Sequence, residues 1–279
     1  MGITEPGTID DLVADAAAAH HQVTARLVRD WSRIGLLDYP VKRSAGRGQG
    51  SRPALYPVTQ RMLFLTELHH RRAGQGIAGL ARIPVGIWMY WGEEYVPLSQ
   101  ARRAYLTWLG GPAISKASAR AASRAIVEQA GHPTADRRAR ANLVNVLAEI
   151  AYNGRLDDER LEPAFRAVFE PGHQQIRRAV GHPEAPMTTD AFIDLARARI
   201  LAVRRFKSGQ VTDKEFLQAR SDHLLHYADY SRRQPVYAAA RGQTDPDIYE
   251  PVSLETALND CCSHLLTTIG LAVVHRQRP

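Results

Sequence analysis

The stretch Val23–Leu37, VTARLVRDWSRIGLL, decides how the rest of this 279-residue chain is read. Thr24 is of the residue type that caps a helix N-terminus. Behind it Leu27, Val28, Trp31 and Ile34 recur at the three- and four-residue spacing of one helical face. Arg26, Arg29, Asp30 and Arg33 fall mainly on the other face. Gly35 is the residue that closes a helix in a left-handed conformation. Leu36 and Leu37 then turn back toward a core before Pro40. The pattern predicts a short amphipathic helix over 24–35 with a basic outer face.

Working outward, Thr8 caps a preceding helix that runs from Asp10 to about Ala19, with Asp11 in place of the Glu or Gln of a capping box. Its apolar positions are Ile9, Leu12, Val13 and Ala16, and a break falls at His20–Gln22. On the other side comes Val41–Pro57, VKRSAGRGQGSRPALYP, with three glycines, two prolines and four basic residues. This reads as a loop with a short extended piece at each end, anchored by Leu55 and Tyr56. It is either a hairpin lying on a phosphate backbone or a disordered linker. A helix over about 58–72 follows, with Met62, Leu63, Leu65 and Leu68 expected inside, then one over 77–90 interrupted by Pro84.

Charge sharpens the reading. The chain carries 36 Lys and Arg against 29 Asp and Glu, a net +7. Between Gln22 and Arg72 stand ten basic residues and three acids, so this fifth of the sequence holds the whole excess. Such a concentration is the footprint of a nucleic-acid surface; its plainer reading is a solvated helix face. The 44% hydrophobic content excludes disorder as the main state. The longest nearly apolar run, Leu265–Val274, has ten residues where a membrane span needs about 20, so no membrane is expected. The acidic opening MGITEPGTIDD is unlike a secretory signal. Two adjacent cysteines, Cys261 and Cys262, exclude a disulfide framework and fit a cytoplasmic protein.

The segment 23–37 resembles the recognition-helix region of the mercury-resistance-regulator (MerR) family of transcription regulators. Val23, Thr24, Arg26, Arg29, Trp31, Ile34, Gly35, Leu36 and Leu37 match the family pattern at unchanged spacing, with Val28 in place of a leucine. The arginine- and glycine-rich loop, then Leu55-Tyr56, then a leucine-containing helix follow in the family's order, so the resemblance covers roughly residues 8–90. The chain departs from the pattern at Asp30, where the family has an aromatic. It also has a longer, glycine-free stretch at Asp15–Gln22 and no sustained heptad repeat downstream.

The resemblance implies a mainly α-helical protein: an N-terminal winged helix-turn-helix with a small β wing, then a helical bundle. It implies a sequence-specific regulator that binds double-stranded DNA as a homodimer, with no catalysis and no cofactor. The residues expected at the DNA are Thr24, Arg26, Leu27, Arg29, Asp30, Trp31 and Arg33 on the helix. On the wing they are Lys42, Arg43, Arg47, Gln49, Ser51, Arg52 and Tyr56. Physically, Thr24 and nearby amides suit a phosphate. Arg26 and Arg29 suit guanine or phosphate, and Arg47, Gln49, Ser51 and Arg52 suit the backbone. Trp31 is either core or an indole donor to phosphate. Other uses of such a module are DNA architecture in excision or partition, or an accessory arm on a small-molecule-binding bundle.

Six of the 20 aromatic residues crowd into 88–108, namely Trp88, Tyr90, Trp91, Tyr95, Tyr105 and Trp108. They are taken as a hydrophobic seam, with an aromatic ligand pocket or dimer contact as the other reading. The domains are therefore drawn as 1–95 for DNA binding, 96–112 as linker or seam and 113–279 as an all-α dimerisation or effector-sensing domain. Helices are predicted there at about 115–130, 134–152, 157–169, 188–206, 212–231 and 253–275. The last, Ser253 to Val274, is apolar on most faces and so is a bundle centre or a dimer interface. No GxSxG, HExxH or phosphate-binding glycine motif occurs, so an enzyme is not expected. Histidine pairs 20–21, 69–70 and 223 with 226, and Cys261-Cys262 with His264, are read as core or surface residues, and no metal is expected.

Overall fold

Thr8 caps α1 (Ile9–Ala18) in a complete capping box: its hydroxyl accepts from the Asp11 amide, and the Asp11 carboxylate accepts from the Thr8 amide at 2.6 Å. Those bonds hold the Asp11 carboxyl below its ordinary range. Leu12 and Ala16 face the core. The helix ends at His20, whose φ of 62° is left-handed, with His20 N–H on Ala17 O and His21 N–H on Ala16 O. This is the two-bond closure that glycine usually provides. Left-handed backbone costs a non-glycine residue about 1–2 kcal/mol. His20→Gly is therefore expected to raise stability by up to about 1 kcal/mol after glycine's own entropy cost, read as a higher urea midpoint.

In the computed structural model, residues 3–44, 51–110, 115–130, 135–170, 188–241 and 253–277 are described. Among the described residues the fold is mainly helical with one two-stranded sheet. Backbone proximity divides the chain into two units: residues 1–110 with 252–262, and 111–251 with 263–279.

In the first unit, α1 is followed by α2 (Ala25–Ile34), the hairpin β1 (Val41–Ser44) and β2 (Ser51–Leu55), and α3 (Val58–Arg72). Then come α4 (Ile77–Leu80), α5 (Arg82–Trp91) and α6 (Leu98–Trp108). The break between α4 and α5 falls at Ala81, and Pro84 sits in the first turn of α5, where a missing N–H costs little. The hairpin is antiparallel, pairing Val41 with Leu55 and Arg43 with Arg52. Between those pairs β2 takes one step more than β1, and Pro53, which has no N–H, lies in that bulge. Gly7 and Tyr56 exchange two backbone bonds and so fasten the end of the wing to the chain's start.

The first unit's core contains Leu12, Val28, Leu36, Leu37, Phe64, Leu80, Trp88 and Tyr105. Met62, expected inside, is exposed, because the inward face of α3 runs through Gln60, Leu63, Phe64, Glu67 and Leu68. Residues 96–112, expected as a linker or seam, contain α6, whose Gln100, Ala101, Ala104 and Tyr105 are buried. The aromatic crowd divides: Trp88 and Tyr105 are core, whereas Tyr90, Trp91 and Tyr95 are exposed.

The second unit comprises α7 (Lys116–Ala130), α8 (Arg137–Asn153), α9 (Asp158–Phe169), α10 (Thr189–Lys207) and α11 (Asp213–Arg241), with the later part of α12 (Leu254–Gln277). Leu143, Val146, Ile150, Leu161, Phe165, Val168 and Ile193 form its main apolar cluster. Arg166 pairs with Glu162, Glu170 and Asp190, and Arg197 with Asp158 and Glu162, tying α9 to α10. A Cβ on Gly270 would lie 1.9 Å from Ala198 O, so α12 and α10 approach closely through that glycine.

Leu254–His275 is long and apolar enough, by length and composition, to cross a membrane, at mean hydropathy 1.3. The ten-residue run understated it because averaging over a helix absorbs scattered polar positions. Within the protein, Cys261, Cys262, Leu265, Leu266, Ile269 and Val274 of this helix are buried, and 44% of the apolar window is covered.

Candidate nucleic-acid interface

The surface begins with how α2 is held. The Thr24 hydroxyl accepts from the Leu27 amide, and Gly35 closes the helix at φ 84°. Thr107 Oγ1 donates to Ile34 O at 2.7 Å and Gln100 Nε2 to Leu36 O at 3.2 Å, which satisfies carbonyls at and just beyond the helix end. Gln60 continues the network, bonding Gln100 and the Asp38 amide. Arg103 pairs with Asp38 at 2.7 Å and lies over the Tyr39 ring. Thus α3 and α6 grip both the end of α2 and the approach to the wing.

Val28, Trp31 and Ser32 are buried, which turns Arg26, Arg29 and Arg33 outward. The Arg26 and Arg33 side chains are 89% and 74% exposed, so nothing in the protein desolvates them. Asp30 stands between them at 3.9 Å and 3.4 Å, contacts too long and too exposed to neutralise either arginine. On the wing Lys42, Arg43 and Arg52 are exposed. Among the described residues Arg29, Lys42, Arg43 and Arg52 have no carboxylate partner. Arg43 and Arg52 sit directly opposite each other across the hairpin. Like charges in that position cost stability, which an anion across the two strands would relieve.

The two elements adjoin: Arg29 and Ser32 of α2 line one groove with Tyr39, Pro40, Pro53 and Ala54 of the wing. The helix edge and the hairpin therefore form one continuous surface. Among the described residues it carries Arg26, Arg29, Arg33, Lys42, Arg43 and Arg52, with Asp30 between the helix arginines and Asp10 of α1 lining the same groove.

Two expected contacts are overturned. Trp31 is 1% exposed and packs edge-to-face on Phe64 at 5.5 Å, so its indole supports α2 from within. Tyr56 is 2% exposed, with its hydroxyl 3.4 Å from Ser32 Oγ, and burial pushes its pKa up. Both are large amphipathic rings whose apolar area wins over their polar tip. Leu27 and Asp30 are half-buried, and Thr24 is exposed but engaged in its own cap. Arg47, Gln49 and the side chain of Ser51 lie outside the described residues.

Arg61, one of the ten basic residues between Gln22 and Arg72, is used inside the fold. It makes a two-pronged pair with Asp15 at 2.8 Å and donates to Glu5 O, which fastens α3 to α1. Arg71 and Arg72, not singled out from the sequence, are exposed at the end of α3, and Arg71 lies 5.8 Å from the Trp31 ring centroid. The signal for them was the run His69-His70-Arg71-Arg72.

The adjacent cysteines of α12 are chemically quiet. Cys261 and Cys262 are buried free thiols; burial pushes Cys261 up to about 12, which makes it unreactive. Among the described residues no group of three His, Cys, Asp or Glu side chains is arranged to hold a metal ion.

The fold and the surface define a mainly helical protein with a two-stranded wing beside an arginine-bearing helix. Comparison with protein-family models, curated proteins and solved structures gives no significant match.

Proposed function

We propose that this chain is a sequence-specific DNA-binding regulator of transcription, resembling the MerR family in its first unit and working as a cytoplasmic homodimer. In this reading α2 lies in the major groove, whose roughly 12 Å width admits a helix. Arg26 and Arg29 meet base edges or flanking phosphates. Lys42, Arg43 and Arg52 hold the sugar–phosphate backbone and set register. Two copies place two such helices on a two-part site.

The observation that carries the proposal is the surface of six exposed cations against two carboxylates, Asp30 and Asp10, among the described residues, including the facing Arg43–Arg52 pair. A merely solvated helix face would not require like charges opposed across a hairpin.

The test is binding of the full chain to genomic duplex fragments, followed by variants. Each base-reading arginine is worth about 1–3 kcal/mol, so Arg26→Ala with Arg29→Ala should weaken the preferred site by at least about thirtyfold. Specificity should relax as well. Lys42→Ala and Arg43→Ala should weaken all sequences alike and each flatten the salt dependence by about one unit of slope. Binding unchanged by the α2 pair removes the assignment.

A further inference from the structure

In the second unit three imidazoles meet between α11 and α12. His223 Nδ1 lies 3.1 Å from His264 Nδ1. The rings of His223 and His226 stand edge-on to that of His264, at centroid distances of 5.0 and 5.5 Å. His223 is buried, His264 half-buried and His226 exposed.

The contact sets a limit on protons. Two Nδ1 atoms bond only when one carries hydrogen and the other presents a lone pair. One added proton can be accommodated on an outer nitrogen. A second must occupy the acceptor Nδ1 and leaves two donors face to face. The third ring, one turn along α11 from His223, adds its own charge at the same spot.

The charges around His264 oppose one another. Asp222 on α11 favours its charged form, and Arg199 on α10 disfavours it. Arg199 is held there by its bond to Thr267 of α12 at 3.0 Å. Burial then weighs against charge on both His223 and His264.

We infer that His223, His226 and His264 form a proton-sensitive latch, which closes α11 on α12 while the rings are neutral and loosens that packing when the medium turns acid. The sign follows from the folded state binding protons less readily than the unfolded chain. Stability of the second unit is then full above the ordinary histidine value of 6.5 and falls as the pH drops toward about 4. At pH 5 an unperturbed histidine is about 97% protonated, and one whose value is about 4 is about 10% protonated. The latch thus operates over the range where histidine is the physiological sensor.

The full-length chain is melted between pH 8 and pH 5, alongside His223→Gln, His264→Gln and the control His275→Gln, which alters an exposed histidine outside the trio. The acid-induced fall in Tm is expected to shrink by at least half in the first two variants and to persist in the control. An equal fall in all four proteins overturns the latch. Ring C–H titration of wild type by NMR covers the case where a variant fails to fold: His223 titrating at the ordinary histidine value overturns it, and titration well below that value supports it. Zinc at pH 7.5 is the remaining arm. A zinc-dependent rise in Tm that His264→Gln abolishes makes the trio a metal site and overturns the proton reading.

Discussion

Gly35→Ala is expected to destabilise the first unit by about 2–5 kcal/mol and to abolish the α2 surface with it. Two costs add at this position. The backbone sits at φ 84°, where a side chain costs about 1–2 kcal/mol. The added Cβ would also lie 2.2 Å from Ala104 N and 2.7 Å from the main-chain carbonyl carbon of Arg103. Those neighbours are backbone of α6, so relief requires moving a helix, and overpacking of that kind costs about 1–3 kcal/mol. Moving α6 also strains the Thr107 bond to Ile34 O and the Gln100 bond to Leu36 O. Gly74→Ala isolates the first cost, because Gly74 has φ 94° and a Cβ there would meet nothing within 4 Å. Urea unfolding should show a loss of about 1 kcal/mol for Gly74→Ala and at least twice that for Gly35→Ala. Equal losses would remove the close approach of α6 as a cause.

Gly35 also marks how far the sequence could be read. Its place after Ile34 shows a helix stop, and α2 does end there, between the Thr24 cap and the glycine. The capping box at Thr8 and Asp11 was equally legible, since capping is decided within four residues. That α6 presses on Gly35 was not legible, because the contact joins positions about seventy residues apart. The helix α6 within the stretch read as linker or seam was not legible for a related reason. LSQARRAYLTW buries itself through Gln100 and small alanines, so its inward face lacks a run of large apolar residues.

The candidate interface divides along the same line. Arginines on the polar side of an amphipathic helix have nowhere to go but outward, so Arg26, Arg29 and Arg33 could be placed from periodicity. Trp31 and Tyr56 could not, because an amphipathic ring suits core and surface alike and only the presence of Phe64 and Ser32 decides. Arg61 belongs with them: its partner Asp15 is forty-six residues away, and nothing local separates it from Arg71 or Arg72. The histidine trio is half legible, since 223 and 226 share a helix face while 264 arrives from another helix.

Glu67→Met is expected to stabilise the first unit by about 1–3 kcal/mol at neutral pH, the cost of an unsatisfied buried polar group. Glu67 is 0% exposed on the inner face of α3, and neither carboxyl oxygen has a hydrogen-bond partner. Burial therefore pushes its pKa well above the usual carboxylate range and keeps it protonated in the fold. Methionine offers similar volume without the polar atoms. The pH dependence gives the sharper test. The unfolded chain releases this proton near pH 4.5, whereas the folded chain holds it to higher pH. Wild type then loses about 1.4 kcal/mol relative to the variant for each pH unit between the two values. Urea unfolding at pH 5, 6, 7 and 8 should show the gap between the proteins widening as pH rises. That trend is opposite in sign to the one expected from the histidines of the second unit, so the two can be told apart in one chain. Parallel stability curves would mean that Glu67 finds a partner or water and is ionised in the fold. Since Glu67 lies on the buried face of α3 with Phe64 and Leu68 and is not part of the cationic surface, the variant should bind duplex DNA as wild type does.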